Sequence, residues 1–175
     1  LKSEDGLALF YELVEKADIE LSNFSPGVTA RLKIDYDVLA KVNGRIITCS
    51  VTGIGESGPA FKRPAFAMVA QGYGGGMSIT GQAGAPPTRA GIPIGDLGGV
   101  MFSAVGRLAA LHARERTGHG QHIDISMQDC QISLINYMAT MYHLSGDVPG
   151  AIGNAHFVHV PYNTCLLYTS AAADE

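Results

Sequence analysis

The sequence has little of what marks several large protein classes. Its formal net charge is -4, so it has no basic field of the kind that nucleic-acid binding requires. Its three cysteines include no Cys-x-x-Cys pair and no His/Cys cluster at metal-ligand spacing. We find no apolar run near the length of a membrane span and no internal repeat. We therefore expect no nucleic-acid partner, no membrane partner, no metal site, and a reducing, cytoplasmic compartment.

The residues that are present suit one globular domain. At 175 residues, of which 46% are hydrophobic, the chain is long enough to bury a substantial core. It does not begin with Met, it has no charged and apolar leader, and its first residues already start a helix pattern. We expect it to be a piece of a longer protein.

Helix and strand patterns alternate along the chain. Strands are predicted at residues 18–22, 45–51 and 122–126, and the almost wholly apolar run 45–51 predicts a strand buried on both faces. Helices are predicted at residues 4–16 with Ser3 as cap, in a short turn after Pro26-Gly27, at 35–42 with Asp35 as cap, at 64–71, from Asp96 to near Gly118, and at 127–144. Because parallel strands require crossover helices, this order predicts an α/β fold with a mainly parallel sheet and flanking helices.

Asp96 is the strongest candidate for a reactive residue. It is one acid among the glycines of residues 91–99, at the start of a long helical pattern. Backbone N–H groups and the positive end of the helix dipole stabilise an anion there. Gly95, Gly98 and Gly99 have no side chains, so we expect them to let a substrate carbonyl approach the carboxylate. Aspartate is also a common N-cap, and the local sequence does not separate a cap from a reactive group.

Two other features have plainer interpretations. The glycine run at residues 72–76 lacks the spacing of a nucleotide-binding loop, so we interpret it as a flexible turn. The six histidines are scattered without a zinc-protease pattern, and we interpret them as surface or hydrogen-bonded core residues.

Several short motifs follow one another along the chain. They are Ala17-Asp18, Asn23-Phe-Ser-Pro-Gly-Val28, Arg31-Leu32, Thr52-Gly-Ile-Gly-Glu-Ser-Gly-Pro59, Gly95-Asp96, then Arg114, Thr117-Gly118, Gly120-Gln121 and Asp124-Ile-Ser126, and finally Gly153-Asn154 with His156. In their order and near-constant spacing, these motifs resemble the class III (CaiB/BaiF) CoA-transferases, and the resemblance extends from residue 4 to residue 164.

The resemblance implies a fold and an assembly. Family members combine a Rossmann-like α/β domain with a smaller domain, and two subunits form an interlocked homodimer. Residues 1–164 would then be the large α/β domain, incomplete at both ends and not expected to be active alone. Residues 165–175 do not resemble the family but resemble a translated sequencing-library adapter, and we interpret them as a non-native tail.

The resemblance also implies a reaction. The aspartate at the position of Asp96 is the family's nucleophile, and Asn23, Phe24 and Arg31 fall on positions that contact coenzyme A. The carboxylate attacks an acyl-CoA to give a mixed anhydride, and the thiolate returns to form an aspartyl-CoA thioester. An incoming carboxylic acid then collects the CoA. An aromatic ring and an arginine suit an adenine and phosphates, while Asn23 also fits a structural role in a turn.

Two other functions stay open. A racemase of the same superfamily requires a base on each face of the α-carbon, and the related racemases have a histidine where this chain has Phe66. Because phenylalanine cannot accept a proton, a transferase is favoured. A non-catalytic acyl-CoA-binding subunit would keep the fold and use Asp96 only as a cap. In each case apolar runs such as residues 132–141 should leave exposed patches where a partner subunit or further segments belong.

Overall fold

A computed structural model of the protein describes residues 1–164. The predictions for residues 165–175 lie outside the described residues. The helices are α1 (Glu4–Val14), α2 (Val28–Arg31), α3 (Tyr36–Val42), α4 (Ala67–Tyr73), α5 (Ile94–Thr117), α6 (Met127–Leu134) and α7 (Tyr137–Ser145), and the strands are β1 (Ile19–Ser22), β2 (Ile47–Thr52) and β3 (His122–Ser126).

The strands form a parallel sheet in the order β1-β2-β3. Thr48 is the central residue of one register row, paired with Glu20 on one side and His122 on the other. Helices connect the strands in sequence, as parallel pairing requires. The predicted α/β fold with a parallel sheet and flanking helices is confirmed.

One face of the sheet packs against α5 through glycines. A Cβ atom on Gly99 would lie 3.2 Å from Cγ1 of Val51, and one on Gly106 would lie 3.2 Å from Cγ2 of Ile123. These distances are shorter than ordinary van der Waals contact, so the helix backbone lies directly on the strands. Larger residues at either position would push α5 away from the sheet.

The other face of the sheet is polar. Side chains alternate along a strand, and the residues on this face are Glu20, Ser22, Thr48, Ser50, Thr52, His122, Asp124 and Ser126. Thr48, Ser50 and Thr52 are only 3%, 5% and 4% exposed. The prediction that this strand is buried is therefore confirmed, but one of its two faces buries hydroxyl groups, which the apolar interpretation of residues 45–51 missed.

A small core joins α1 and α3 beside the sheet. It consists of Val14, Ile34, Leu39 and Ile46. The predicted cap of α1 is confirmed, because the Gly6 N–H donates to Oγ of Ser3 at 3.2 Å. Asp35 occupies the N-cap position of α3 as predicted, but its side chain makes no capping hydrogen bond.

Two helix predictions are wrong in their bounds. The segment 127–144 is two helices rather than one, because Asn136 adopts a φ of 45° and interrupts the helical backbone between α6 and α7. The helix predicted from residue 64 begins at Ala67. Local apolar spacing continues through both boundaries, so periodicity alone did not mark them.

The expectation that no segment approaches the length of a membrane span is wrong for α5. This helix has 24 residues and a window of mean hydropathy 1.3, so by length and composition alone it is apolar enough to cross a membrane. It contacts β2, β3, α4 and α6, and we interpret it as the central helix of the α/β layer.

Apolar side chains remain exposed on two helical surfaces of the described chain. Residues within the predicted patch at 132–141 are exposed, with Ile132 at 42%, Leu134 at 45% and Tyr137 at 42%. A second stripe runs along α5 and consists of Leu97, Val100, Met101, Val105 and Leu108. The prediction of exposed apolar surface is confirmed.

Candidate active site

Asp96 lies in the first turn of α5, on the exposed surface of the protein. The N-cap residue is Pro93, whose carbonyl accepts the Leu97 N–H at 3.0 Å, so Asp96 is not the cap. Within residues 1–164 its carboxylate accepts no hydrogen bond, and the N–H groups of Gly95 and Asp96 donate none. The carboxylate is therefore free, and it stands at the positive end of the helix dipole.

The glycines beside Asp96 do not open a path for a ligand. Gly95, Gly98 and Gly99 are all buried. A Cβ on Gly95 would lie 2.8 Å from the carbonyl oxygen of Ala67, and one on Gly98 would lie 3.0 Å from Cδ1 of Leu134. The expectation that these residues admit a substrate is wrong, because they allow α4 and α6 to pack directly on the α5 backbone.

Asp96 lines a cavity of about 440 Å³ between α5 and the end of β1. The α5 residues on its wall share one helical face, and the β1 segment contributes Asn23 at its rim. The wall consists of Leu21, Ser22, Asn23, Val51, Phe66, Asp96, Val100, Ser103, Arg107 and Met127. The volume is within the range of small-molecule sites. The structure thus brings together Asn23 and Asp96, two of the predicted site residues.

Phe66 contributes an aromatic ring to this cavity. It is the N-cap residue of α4, and 80% of its surface is exposed. Among the described residues on the cavity wall, Asp96 is the only carboxylate, and the wall contains no histidine, lysine or cysteine. The cavity therefore offers one base, not a pair.

Arg107 is a site residue that the sequence interpretation missed. Its Nε donates to the carbonyl oxygen of Ser103 at 3.1 Å, and its Nη2 lies 3.5 Å from Ser103 Oγ. Burial raises the pKa of the nearby Cys49 thiol, and the charge of Arg107 opposes that rise. The sequence did carry a signal, because positions 96, 100, 103 and 107 recur on one face of a helix.

Phe24 lines a separate cavity of about 300 Å³. Its neighbours on that wall include Phe61, Lys62 and Arg63, which come from the loop after β2. Lys62 Nζ lies 5.5 Å from the centre of the Phe61 ring. Aromatic rings beside two cations suit an aromatic base with phosphates.

Arg31 lies apart from both cavities. It lines a third one of about 390 Å³, whose wall includes Lys33 and residues 1–4 at the start of the chain. The structure does not bring Arg31 together with Asp96 or Phe24. The CoA-binding roles of Asn23, Phe24 and Arg31 stay predictions.

A chain of hydrogen bonds holds the loop after β2 on the polar face of the sheet. His122 Nε2 lies 2.7 Å from Glu56 Oε2, and its Nδ1 lies 2.7 Å from Thr48 Oγ1. The Glu56 N–H donates to Asp124 Oδ2 at 2.9 Å. Burial raises the pKa of the Glu20 carboxyl in the same register row, and hydrogen bonding and the charge of His122 oppose that rise. For His122, the interpretation as a hydrogen-bonded structural histidine is confirmed.

Comparison with known proteins agrees with the fold and the motifs. The model of CoA-transferase family III matches residues 1–167. The acetyl-CoA:oxalate CoA-transferase of Acetobacter aceti is 42% identical over 93% of this chain and 42% of its own length. The succinyl-CoA:mesaconate CoA-transferase of Haloarcula hispanica is 38% identical over 94% of this chain and 42% of its own length.

A solved structure supports the same assignment. The crystal structure of a CaiB/BaiF family protein from Brucella suis superposes with a TM-score of 0.87 and 36% identity, covering 93% of this chain and 43% of that chain. The chain thus spans about 42% of the length of the two curated relatives. On the strength of the family match and of these relatives, the chain belongs to CoA-transferase family III.

Proposed function

We propose that the complete protein containing this chain transfers CoA from an acyl-CoA thioester to a free carboxylic acid, with Asp96 as nucleophile. One observation carries the proposal: the carboxylate of Asp96 is exposed, accepts no hydrogen bond within residues 1–164, and lines a cavity of small-molecule size. A carboxylate in that state is available to attack a carbonyl carbon. The reaction class follows the family, whose two relatives above are named for transfer to oxalate and mesaconate.

The proposed reaction has a balanced sequence of steps. A carboxylate oxygen of Asp96 attacks the thioester carbonyl, the C–S bond breaks, and the CoA thiolate leaves an acyl-aspartyl anhydride. The thiolate then attacks the aspartyl carbonyl and expels the donor acid as a carboxylate. The acceptor acid attacks the resulting aspartyl-CoA thioester, and the released thiolate attacks the acceptor's carbonyl in the new anhydride. Asp96 is regenerated as a carboxylate, and no net proton is consumed.

In this proposal, residues of two neighbouring cavities bind different parts of the CoA molecule. Asn23 lies in the cavity of Asp96, while Phe24 lies in the next cavity with Lys62 and Arg63. Because Asn23 and Phe24 are adjacent in the chain, a CoA molecule that extends from one cavity to the other places its thioester near Asp96 and its phosphates near the two cations. Arg31 contributes to this arrangement only if further segments of the protein join its cavity to the other two.

The two other candidate functions receive less support. Racemisation requires a second base in the cavity of Asp96, and its described wall contains Phe66 and no second proton acceptor. A non-catalytic subunit would use Asp96 as a helix cap, but Pro93 occupies the cap position. Both observations favour a transferase.

The exposed apolar stripe along α5 supports an assembly. Met101, Val105 and Leu108 are 67%, 64% and 67% exposed, and contiguous apolar surface of this kind marks contacts with other protein segments. We infer an interlocked homodimer for the complete protein and, from the buried free thiols of Cys49 and Cys130, a reducing, cytoplasmic location.

Trapping of the covalent intermediates tests the proposal. The complete protein is incubated with an acyl-CoA and hydroxylamine, and residue 96 is examined by peptide mass spectrometry. We expect a hydroxamate at Asp96 that depends on the acyl-CoA, since both the anhydride and the aspartyl-CoA thioester are attacked by hydroxylamine. Asp129, an exposed carboxylate in the first turn of α6, is the matched control and should stay unmodified.

Two results would reject the nucleophile. One is a hydroxamate on a different residue during turnover. The other is deuterium incorporation at the α-carbon of a 2-methylacyl-CoA in heavy water without transfer of CoA to any acid, which would indicate the racemase instead.

A further inference from the structure

We propose that a cavity on the polar face of the sheet binds a small organic cation that carries a primary ammonium group. The cavity has a volume of about 240 Å³, and its wall is formed by residues of the three strands, of α2 and the start of α3, and of the loop after β2. It shares no wall residue with the cavities of Asp96, Phe24 and Arg31. The site therefore lies outside the proposed CoA-transfer centre, and the inference does not depend on the proposed function.

Negative charge dominates the wall of this cavity. The acidic residues on it are Glu20, Asp35, Asp37 and Glu56, and no lysine or arginine lies among the described wall residues. Glu56 pairs with His122, but the other three carboxylates form no salt bridge within residues 1–164. Burial raises the pKa of Glu20, and the charge of Glu56 adds to the rise. A bound cation would supply the positive charge that these carboxylates lack.

Two polar groups on the wall lack the hydrogen bonds that buried groups normally form. Ser50 is only 5% exposed, and strand alternation places its side chain on the same face of the sheet as Thr48. The Ser50 hydroxyl lines the cavity and forms no hydrogen bond within residues 1–164. Oδ1 of Asp35 is also buried without a partner among the described residues. Because unsatisfied buried oxygens are costly, both groups favour a ligand that donates hydrogen bonds.

An ammonium group fits these oxygens better than a metal ion does. Within residues 1–164, no group of three or more His, Cys, Asp and Glu side chains is placed to hold a metal ion. Ca²⁺ and Mg²⁺ require several oxygens at about 2.0–2.6 Å, whereas an ammonium donates to oxygens at about 2.8 Å through three rotatable N–H groups. The acceptors Glu20, Asp35 and Ser50 come from three separate segments, so one ammonium group can join them.

The size and the apolar part of the wall limit the ligand to a short chain. About 240 Å³ is less than the roughly 300–1,000 Å³ of sites for drug-sized ligands. Ile34 and the ring of Tyr36 contribute apolar surface to the wall. The Tyr36 hydroxyl donates to the Gly120 carbonyl at 2.8 Å, which holds the ring in place. A fixed aromatic ring favours a neighbouring cation further, so a short alkylammonium suits both parts of the wall.

Binding of propylammonium tests the inference. The complete protein is titrated calorimetrically with propylammonium chloride at pH 7 without acyl-CoA, and sodium chloride serves as the control for ionic strength. We expect one saturable site with a Kd of about 1 mM or lower, within the limit for so small a ligand. 1-Propanol lacks the charge, and tetramethylammonium lacks the N–H donors. Each should bind at least about tenfold more weakly.

Substitutions on the wall locate the site. Glu20→Gln and Asp35→Asn should each raise the Kd for propylammonium at least about tenfold, and Ser50→Ala should raise it about threefold. The matched control is Glu12→Gln, which neutralises an exposed carboxylate of α1 outside the wall. It should leave the Kd within about twofold of the wild-type value.

Three results would overturn the inference. They are equal binding of propylammonium and 1-propanol, undiminished binding by both Glu20→Gln and Asp35→Asn, and the absence of saturable binding. The last would show that water or another segment of the complete protein satisfies the wall. If a wall variant fails to fold, the other variants and the comparison of ligands with the wild type decide. Because the titration contains no acyl-CoA and the wall does not include Asp96, each of these results leaves the proposed function standing.

Discussion

The two ends of α5 carry charged residues in opposite situations. Near the N-terminus, Asp96 is exposed and accepts no hydrogen bond within residues 1–164. Near the C-terminus, the Arg114 side chain is 8% exposed and is 2.8 Å from Asp18 Oδ1. Arg114 also donates to the carbonyl oxygens of Arg45 at 3.1 Å and Asp18 at 3.4 Å. The helix thus begins with a free anion and ends with a cation that is held by hydrogen bonds to the segments before the strands.

This difference indicates that Asp96 is available to react with a ligand and that Arg114 stabilises the fold. Arg114 fastens α5 to the segments that precede β1 and β2 through its two terminal nitrogens, while its buried Nε has no partner among the described residues. Asp96 has no such partners, so binding a substrate breaks no contact of the folded chain. The comparison predicts that replacing Asp96 alters turnover and that replacing Arg114 alters stability.

Asp96→Asn should give the largest effect. The substitution keeps the shape of the side chain but replaces the carboxylate by a weak nucleophile. We expect kcat for CoA transfer by the complete protein to fall more than about a thousandfold, and the free energy of unfolding to change by less than about 1 kcal/mol, since only the dipole interaction is lost. CoA exchange and urea unfolding measure the two quantities. Substantial exchange by the variant would remove the distinction between the two ends.

Arg114→Met should instead lower the stability of the protein. It retains much of the apolar stem but removes the guanidinium that donates to the Arg45 carbonyl and to the Asp18 carboxylate. We expect a loss of about 2–4 kcal/mol in the free energy of unfolding, measured in urea. Arg116→Met, an exposed position on the same helical turn, should change it by less than about 0.5 kcal/mol. Equal effects of the two variants would show that Arg114 is not an anchor.

Gly95→Ala tests whether the glycines beside Asp96 serve packing. The new Cβ would lie 2.8 Å from the Ala67 carbonyl oxygen, so α4 must shift. We expect a net loss of about 1–2 kcal/mol in the free energy of unfolding, because overpacking exceeds the gain of about 1 kcal/mol in helix propensity. Gly91→Ala is the control, since a Cβ there meets nothing within 4 Å. A stabilised Gly95→Ala protein would restore the interpretation of an open glycine surface.

Glu20→Gln should give the smallest effect. Burial raises the pKa of Glu20 above its ordinary value, so the folded protein binds this proton more tightly than the unfolded chain. Its contribution to stability is present below the unfolded pKa and is lost as pH rises through the folded pKa. Glu20→Gln should therefore gain stability relative to the wild type on going from pH 4 to pH 7. A difference that does not change with pH would contradict this.

Much of the fold could be predicted because its signals are local. Ser3 caps α1 through a bond three residues away, and Gly118 ends α5 with a φ of 79°. N-capping by serine and helix termination by glycine both depend on residues within one helical turn, so they can be recognised in the local sequence. The alternation of strands and helices then limited the topology to a parallel sheet.

The rest depended on contacts between distant segments. The glycines beside Asp96 were misinterpreted because their neighbours, Ala67 and Leu134, come from other helices. The break at Asn136 carries no glycine or proline to mark it. Arg107 was missed because its place on the cavity wall depends on where β1 ends relative to α5. The pairing of Asn23 with Asp96 in one cavity was expected only from the family resemblance.

The sequence run at residues 114–126, from the end of α5 through β3, affects how members of this family are identified. A Cβ on Gly120 would lie only 1.8 Å from the Ile46 carbonyl oxygen, Arg114 joins α5 to the sheet, and Asp124 holds the loop after β2. All three belong to the run that most visibly carries the resemblance, and all three serve folding. A search that scores this run therefore recognises the fold. Under the proposed function, recognising an enzyme also requires inspection of the position of Asp96, some twenty residues earlier in the chain.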